Sequence, residues 1–594
     1  MIKVTDYIAK RLKEHGVEHF FMVSGGGAMH LNDSLGRAIP YTANHHEQAC
    51  AIAAEGYARV NQKLAVVNVT TGPGGLNALN GVMGQWTDSV PVLYLSGQVK
   101  YSTTMDSCSD IPLRQLGDQE VDIISVVKPL AKYAVMVKDA KDIKYHLDKA
   151  IYEATHGRMG PVWLDVPMNI QGAMIDEKDL REFTPNADVH DCDLKIDTVI
   201  SKLEQAKRPL IVAGHGIRLS NQIDNFNKLI NTMNIPVVTT FNGFDLMDTA
   251  HPLFAGRIGT VGQRAGNFVL QNADTILFLG TRNNIRQVSY NWENFASDAT
   301  KIVVDIDSAE LNKPTVRPDI AVNANLQDFI PALLNKSHSL YSADWAKYCQ
   351  DMKQKYSFAN SVEYQQKPNE AINVYNFVHE LTSLMPNDAI MVAANGSACV
   401  CAHQVGIVKS GQRQFWNSGD ASMGYDLPAA IGASYQANGR PVICLAGDGS
   451  IMMNLQELET ISYNKLPIKI FVINNNGYSS IRQTQRNFFE GRMTGAGTDS
   501  GVGIPKFSKI ASAFDIPSIQ ITQSSELTSG IKKALSTKGP VLTEVMTLQE
   551  YAFLPKLSAR KLPDGSMVSP SLEDMFPFVD RTEYAQNMIK NRQR

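Results

Sequence analysis

Two strand ends in the last third of the chain carry residue types suited to holding a metal. The apolar run "PVICLA" (441–446) breaks into Gly447-Asp448-Gly449, and "IKIFVI" (468–473) breaks into Asn474-Asn475-Asn476-Gly477. The text between them, "MMNLQELETISYN", has helical composition and apolar spacing. The segment therefore predicts a βαβ unit, whose right-handed crossover makes the two strands parallel. Parallel strands end at one rim, so Asp448 and Asn475 converge if those strands are neighbours. A carboxylate, an amide oxygen and a nearby backbone carbonyl form a hard-oxygen half-shell. That suits Mg²⁺, which leaves its other positions to water and phosphate oxygens. The glycines let a diphosphate approach the backbone, and the following helix start aims N–H groups at it.

Other glycines also end strand-like runs: Gly25-Gly26-Gly27, Gly72-Pro73-Gly74, Gly214-His215-Gly216 and Gly396. Ligands of parallel sheets lie beyond the carboxyl ends of the strands, where all these clusters fall. The elements that must position them fall into three blocks. The first, 1–180, holds "HFFMVS", "LAVVNVT", "VPVLYLSG" and "GPVWLDVP"; the second, 190–340, holds "RPLIVAGHG", "IPVVTTF", "ADTILFLGTR" and "TKIVVDID". The third, 370–550, holds "AIMVAANGS", "RPVICLAGDGS", "IKIFVINNNG" and "GPVLTEVM". Short apolar runs alternating with helical patterns predict an α/β fold of three doubly wound parallel sheets. Asp-rich text ("DEKDLREFTPNADVHDCD") and a charged helical stretch ("SADWAKYCQDMKQKYSFANSVEYQQKPNE") read as connections. Residues 551–594, rich in Pro, Ser and charge, read as an arm on the surface.

The chain has 594 residues, with 56 Lys and Arg against 59 Asp and Glu, and no basic run, which argues against nucleic acid as a partner. No stretch approaches the roughly 20 apolar residues of a membrane span, and the N-terminus lacks the unbroken apolar core of a secretory signal. The seven cysteines are scattered and lack zinc-ligand spacing. Reduced thiols and a cytoplasmic protein are expected.

The Gly-Asp-Gly to Asn-Asn segment resembles the thiamine-diphosphate-binding motif, and the resemblance extends over most of the chain. "NHHEQACAIAAEGYAR" looks like the helix carrying the cofactor-activating glutamate. "VTTGPGGLNALNGVMGQWTDSVPVLYLSGQV" is similar to the following segment of acetolactate synthase and pyruvate oxidase relatives. "SMGYDLPAAIGA" resembles the segment that props the cofactor in its bent form. The implied arrangement is pyrimidine-binding, middle and diphosphate-binding domains. Asp448, Asn475 and the carbonyl of Gly477 would ligate Mg²⁺. Gly26, Gly74, Asn77, Gly396, Ser397, Gly447, Gly449 and Ser450 would line the cofactor, with Met423 forcing its rings together. Glu47 would be the proton partner of the cofactor's pyrimidine. Its setting among Ala, Cys and Ile favours burial and a raised pKa, whereas Glu55 reads as a solvated helix residue. Gln119 would position the activated intermediate, and His46 is a candidate donor or a structural histidine.

The sequence departs from acetolactate synthases at two places. Asp118 stands where Phe usually precedes the glutamine, and "NGSACV" lacks the Gln and His common at that turn. "GRIGTVGQRAGNFVLQNADTILFLGTRNNIRQ" and "VVDIDSAE" resemble the FAD-binding middle domain, implying Gly214, Gly259, Arg282 and Asp305 as FAD contacts with a structural role. The tail "LPKLSARKLPDGSMVSPSLEDMFPFVD" resembles relatives of polysaccharide and deoxysugar pathways, with Lys556, Arg560 and Lys561 available to an acceptor's phosphates. The expected reaction is decarboxylating carboligation, a two-carbon unit passing from pyruvate to a keto-sugar nucleotide. The alternative is acetolactate synthesis from two 2-oxo acids; a simple decarboxylase or a non-catalytic scaffold stand behind these. The resemblance also implies a homodimer or homotetramer with active sites between subunits.

Overall fold

A computed structural model describes residues 1–185, 193–366, 370–561 and 564–589. Its frame is three six-stranded sheets, each wholly parallel. The first contains β1 (Phe20–Met22), β2 (Tyr41–Ala43), β3 (Ala65–Val69), β4 (Val92–Gln98), β5 (Tyr133–Met136) and β6 (Val162–Pro167), in the order β2-β1-β3-β4-β6-β5. The second contains β7 (Pro209–Ala213), β8 (Val237–Thr239), β9 (Phe254–Arg257), β10 (Thr275–Leu279), β11 (Thr300–Asp305) and β12 (Ile320–Asn323), in the order β9-β8-β7-β10-β11-β12. The third contains β13 (Ile390–Ala393), β14 (Arg413–Phe415), β15 (Val442–Gly447), β16 (Ile468–Asn474), β17 (Ser518–Ile521) and β18 (Val541–Met546). Its order, β14-β13-β15-β16-β18-β17, repeats that of the first sheet strand for strand. The outer blocks are thus two copies of one topology. The middle block has the strand order of dinucleotide-binding sheets, with its switch point between β7 and β10.

The strands are apolar because both faces are covered: β3, β4, β6 and β16 are buried at every residue. The helix Glu47–Asn61 is buried at twelve positions, because the first and third blocks close on it from two sides. Its Ala and Gly face meets the helix Asp426–Tyr435 at backbone distance. A Cβ on Gly432 would lie 1.8 Å from the Ala53 carbonyl oxygen, and one on Gly56 would lie 2.1 Å from that of Ala429. One apolar core runs through both blocks, from Phe21 and Tyr57 to Ile431 and Ile470.

The arm differs from the sequence expectation of a segment lying on the surface. The helix Arg264–Asn272 presents buried polar side chains to it. Arg264 donates to the carbonyls of Met575 (3.0 Å) and Pro577 (2.6 Å), and Asn267 to that of Leu572 (3.1 Å). Gln271 donates to Glu573 (2.7 Å), and Leu572 and Met575 are buried. An aperiodic segment cannot satisfy its own backbone, so the middle block's amide and guanidinium groups do it instead. Cys50, Cys349, Cys399, Cys401 and Cys444 are buried free thiols and Cys108 is half-buried; Cys192 lies outside the described residues, as do parts of both connections. Among the described residues no helix is long and apolar enough to cross a membrane.

Gly432→Val is expected to overpack the helix contact, costing on the order of 1–3 kcal/mol or more. A urea titration followed by circular dichroism should show an earlier transition than wild type.

Candidate active site

The candidate metal corner is built by the register of β15 on β16. These strands are hydrogen-bonded neighbours, with Gly447 opposite Ile473. Asp448, the next residue, is 2 % exposed. Its Oδ2 accepts the amides of Asn475 (3.0 Å) and Gly477 (2.9 Å) from the adjacent strand end, and its Oδ1 accepts that of Gly449 (2.7 Å). Burial pushes its pKa up to about 6 against the opposing pull of those three N–H groups. Gly477 is required: its φ is +130°, and a Cβ there would lie 2.6 Å from the Ala496 carbonyl oxygen. Gly449 lies under the Tyr478 ring, which a Cβ would approach to 2.1 Å. The Asn475 side chain spans two groups, accepting from Arg482 Nη2 (3.1 Å) and donating to the Tyr551 hydroxyl (3.1 Å). Buried Arg482 also donates to the carbonyls of Asn475 (2.8 Å), Asn476 (3.0 Å) and Gln549 (2.7 Å). Among the described residues no three His, Cys, Asp or Glu side chains cluster to hold a metal. A corner with one carboxylate, one amide oxygen and carbonyls fits an ion that keeps water and phosphate oxygens, as Mg²⁺ does.

Neighbouring turns face the same rim. After β13, Gly396 (φ +72°) starts the helix Ser397–Val405. Ser397 Oγ meets the Tyr551 hydroxyl and lies 3.4 Å from Ser479 Oγ, at the start of the helix Ser479–Phe488. Two helix N-termini thus converge beside the metal corner, a favourable setting for an anion. Met423 is half-buried and fixed on both sides. Ser422 Oγ donates to Asn80 (2.6 Å), and the Gly424 amide donates to Ser450 Oγ (2.9 Å). Ser450 in turn donates to buried Asp426 (2.5 Å). Its hydroxyl therefore ties the Met423 segment to the Gly-Asp-Gly turn rather than standing free for a ligand.

On the first sheet, Glu47 opens the helix Glu47–Asn61 and is 9 % exposed. Its Oε2 accepts from Asn77 (2.9 Å), and a Cβ on Gly74 would lie 3.5 Å from its Oε1. His46 caps this helix, its Nδ1 accepting the Gln48 amide at 3.0 Å. Gln119 is exposed beside Asp118, with φ +60°, and its carbonyl oxygen would be 1.9 Å from a Cβ on Gly72. The Gly72–Gly74 turn thus carries both Gln119 and Glu47. Gly26 is exposed, with open space where its Cβ would be. Glu55 is not a solvated residue. It is fully buried against Arg59 (2.8 Å), which also pairs with Asp88 (2.6 Å), and burial pushes its pKa up to about 7.

The middle sheet carries a cavity of about 390 Å³ at its switch point. Gly216, Gly280, Arg282 and Asp305 line it, together with Asp88 and Arg158 of the first block. Gly214 sits in the same turn, where a Cβ would lie 2.2 Å from the Gly280 carbonyl oxygen. Burial raises the Asp305 carboxyl to about 6. Gly259 is not part of the cavity lining; its amide and carbonyl are both held by the Asn267 side chain at 3.0 Å.

Three family models match in order. The thiamine pyrophosphate enzyme N-terminal TPP binding domain matches residues 2–126, the central domain 196–333 and the C-terminal TPP binding domain 394–545. The chain is 31% identical over 560 residues to the acetolactate synthase large subunit of Lactococcus lactis subsp. lactis (strain IL1403), covering 93% of this chain and 94% of that protein. It is 30% identical over 574 residues to acetolactate synthase 1, chloroplastic, of Zea mays (93% and 87% covered). It is 29% identical over 541 residues to the acetolactate synthase isozyme 2 large subunit of Escherichia coli (strain K12), with 91% and 94% covered. The chain belongs to the acetolactate-synthase-like thiamine-diphosphate enzymes.

This thiamine-diphosphate enzyme is a carboligase that uses the cofactor with Mg²⁺. Two residues at its metal corner escaped the sequence reading. Arg482 lies on the helix after the asparagines, and only the fold shows that its guanidinium gathers four backbone carbonyls. Tyr551 follows the last strand in text that looks like the start of a tail. A polar residue just past a parallel strand's carboxyl end was the available signal.

Asp448→Ala in this thiamine-diphosphate enzyme is expected to remove the anchoring carboxylate and weaken Mg²⁺-dependent cofactor binding by about 100-fold, an estimate from the worth of charged hydrogen bonds. Equilibrium dialysis with thiamine diphosphate, with and without Mg²⁺, measures it.

Proposed function

We propose that the enzyme decarboxylates pyruvate and joins the two-carbon unit to a second 2-oxo acid, as an acetolactate synthase. The observation that carries this is the Asp448–Asn475 corner within a chain that aligns with acetolactate synthases over nine-tenths of its length. Bound there, thiamine diphosphate supplies the nucleophilic carbon at which the 2-oxo acid loses CO2. Asp448, Asn475 and the Gly477 carbonyl would hold Mg²⁺. Gly396, Ser397 and Gly447 would leave room for, or donate to, the diphosphate, whereas Gly449 lies under the Tyr478 ring with its amide on Asp448. Met423 would set the bend of the cofactor. Glu47, held by Asn77, would keep a proton at the pyrimidine nitrogen, and Gln119 would orient the bound substrate. Exposed Leu76, Met452, Met453 and Ile481 support a second copy covering this face, so that Glu47 of one copy meets Asp448 of another.

FAD is the proposed occupant of the middle cavity, in a structural role. The switch-point position, the close Gly214–Gly280 approach and the Asp305 carboxylate at a strand end support it. Arg282 would contribute charge to the phosphates. A keto-sugar nucleotide acceptor is the second reading, supported by exposed Asp118 in place of the usual Phe. Lys556 is half-buried, and the side chains of Arg560 and Lys561 lie outside the described residues.

Purified enzyme with pyruvate, Mg²⁺ and thiamine diphosphate is expected to form acetolactate at a rate unchanged by a keto-sugar nucleotide. Carbon dioxide release that depends on the sugar would transfer the assignment to the second reading. Glu47→Gln is expected to lower turnover by roughly 10²–10⁴-fold, the usual worth of a positioned proton donor. The absorbance spectrum of the purified protein tests the flavin.

A further inference from the structure

The segment after β18 crosses the rim of the third sheet before it joins the arm, and it is pinned at both ends. The Thr547 amide donates to the Asn474 carbonyl (2.9 Å) and Arg482 holds the Gln549 carbonyl (2.7 Å). Glu550 pairs with Arg486. Beyond, the Leu554 amide donates to the Tyr375 hydroxyl (2.9 Å), and Gln404 donates to the Pro555 carbonyl (2.6 Å). Between these anchors Tyr551 projects its hydroxyl onto Ser397 Oγ and to 3.1 Å from Asn475 Nδ2.

The partners are the informative part. A hydroxyl has one proton to give and two lone pairs to accept with. The Asn475 amide donates into Tyr551, which leaves the tyrosine proton for Ser397 Oγ or for a ligand that takes its place. Ser397 and Ser479 add two more hydroxyls, and the helix starts at Ser397 and Ser479 add backbone N–H groups. No carboxylate is hydrogen-bonded to Ser397, Ser479 or Tyr551 among the described contacts. The cluster brings three hydroxyl protons and the N–H groups of two helix starts to one place with no carboxylate to take them, a composition that an anion completes.

We propose that Tyr551, carried by the segment leading into the arm, is a direct hydrogen-bond donor to the diphosphate of the cofactor. This deepens the function proposed above and rests on it.

The test is Tyr551→Phe in the full chain, which keeps the ring and removes only the hydroxyl. Isothermal titration of the apoenzyme in Mg²⁺ uses two probes, thiamine diphosphate and inorganic pyrophosphate; the second reads the diphosphate half alone. Both dissociation constants are expected to rise roughly tenfold or more, the worth of a hydrogen bond to a charged group. The thermal midpoint of the apoenzyme should stay at the wild-type value. Affinities within twofold of wild type for both probes would overturn the proposal, as would a lower apoenzyme midpoint with unaltered affinities. A wild-type protein that binds neither probe would overturn the proposed function as well, a result distinct from one confined to the variant.

Discussion

Asp448 reaches across from β15 to the amides that follow β16, and that contact joins the two strand-end turns of the candidate site. Two conditions make it possible. The strands must be adjacent and parallel, and the chain after β16 must turn sharply enough at Gly477 to bring a second N–H inward. The carboxylate is then buried with three N–H donors, and burial raises its pKa to about 6 against those donors and the nearby Arg482 guanidinium. A buried carboxylate of this kind is costly unless a positive charge completes its surroundings. Arg482, the nearby buried cation, offsets part of that cost and also gathers backbone carbonyls.

The blocks are fastened by two different kinds of contact. Small residues let the helices Glu47–Asn61 and Asp426–Tyr435 approach to backbone distance, which fixes the first block on the third with little freedom. Where the middle block joins them, buried charge does the work of alignment. Arg59 binds Glu55 and Asp88, Asp88 accepts from Asn242 (3.0 Å), and Asp245 lies between Arg218 (3.0 Å) and Arg413 (2.8 Å). Burial penalises the Asp245 carboxylate, but the two arginines win and hold its pKa at about 2. Such pairs add little net stability compared with apolar packing, yet they tolerate few alternative alignments. Asp88 also lines the middle cavity, so the helix that begins with Glu47 and the middle cavity share one electrostatic junction.

Much of the site was legible because its signals are local. Strand, turn and helix follow one another in the Gly-Asp-Gly and Asn-Asn-Asn-Gly segments, and the alternation of apolar runs with helices leaves few topologies open. What escaped depended on distant partners. Glu55 and Glu47 share one helix, and nothing in the helix pattern distinguishes the carboxylate locked by Arg59 from one in water. Gly259 looks like a ligand-facing turn glycine but is occupied by Asn267. Ser450 stands in the motif, yet Asp426, on another helix, takes its hydroxyl.

From the sequence alone came the α/β class, the three blocks, the parallel pairing that sends Asp448 and Asn475 to one rim, and the family resemblance. These follow from periodicity and from turn chemistry, which act over a few residues. Only the tertiary structure decided that the outer blocks share one strand order, that the arm is stitched to the middle block, and that Tyr551 and Arg482 close on the metal corner. Those outcomes are set by which buried polar groups find partners far along the chain. Such pairings leave no period in the sequence, because a hydrogen bond between distant residues constrains only the two groups that form it.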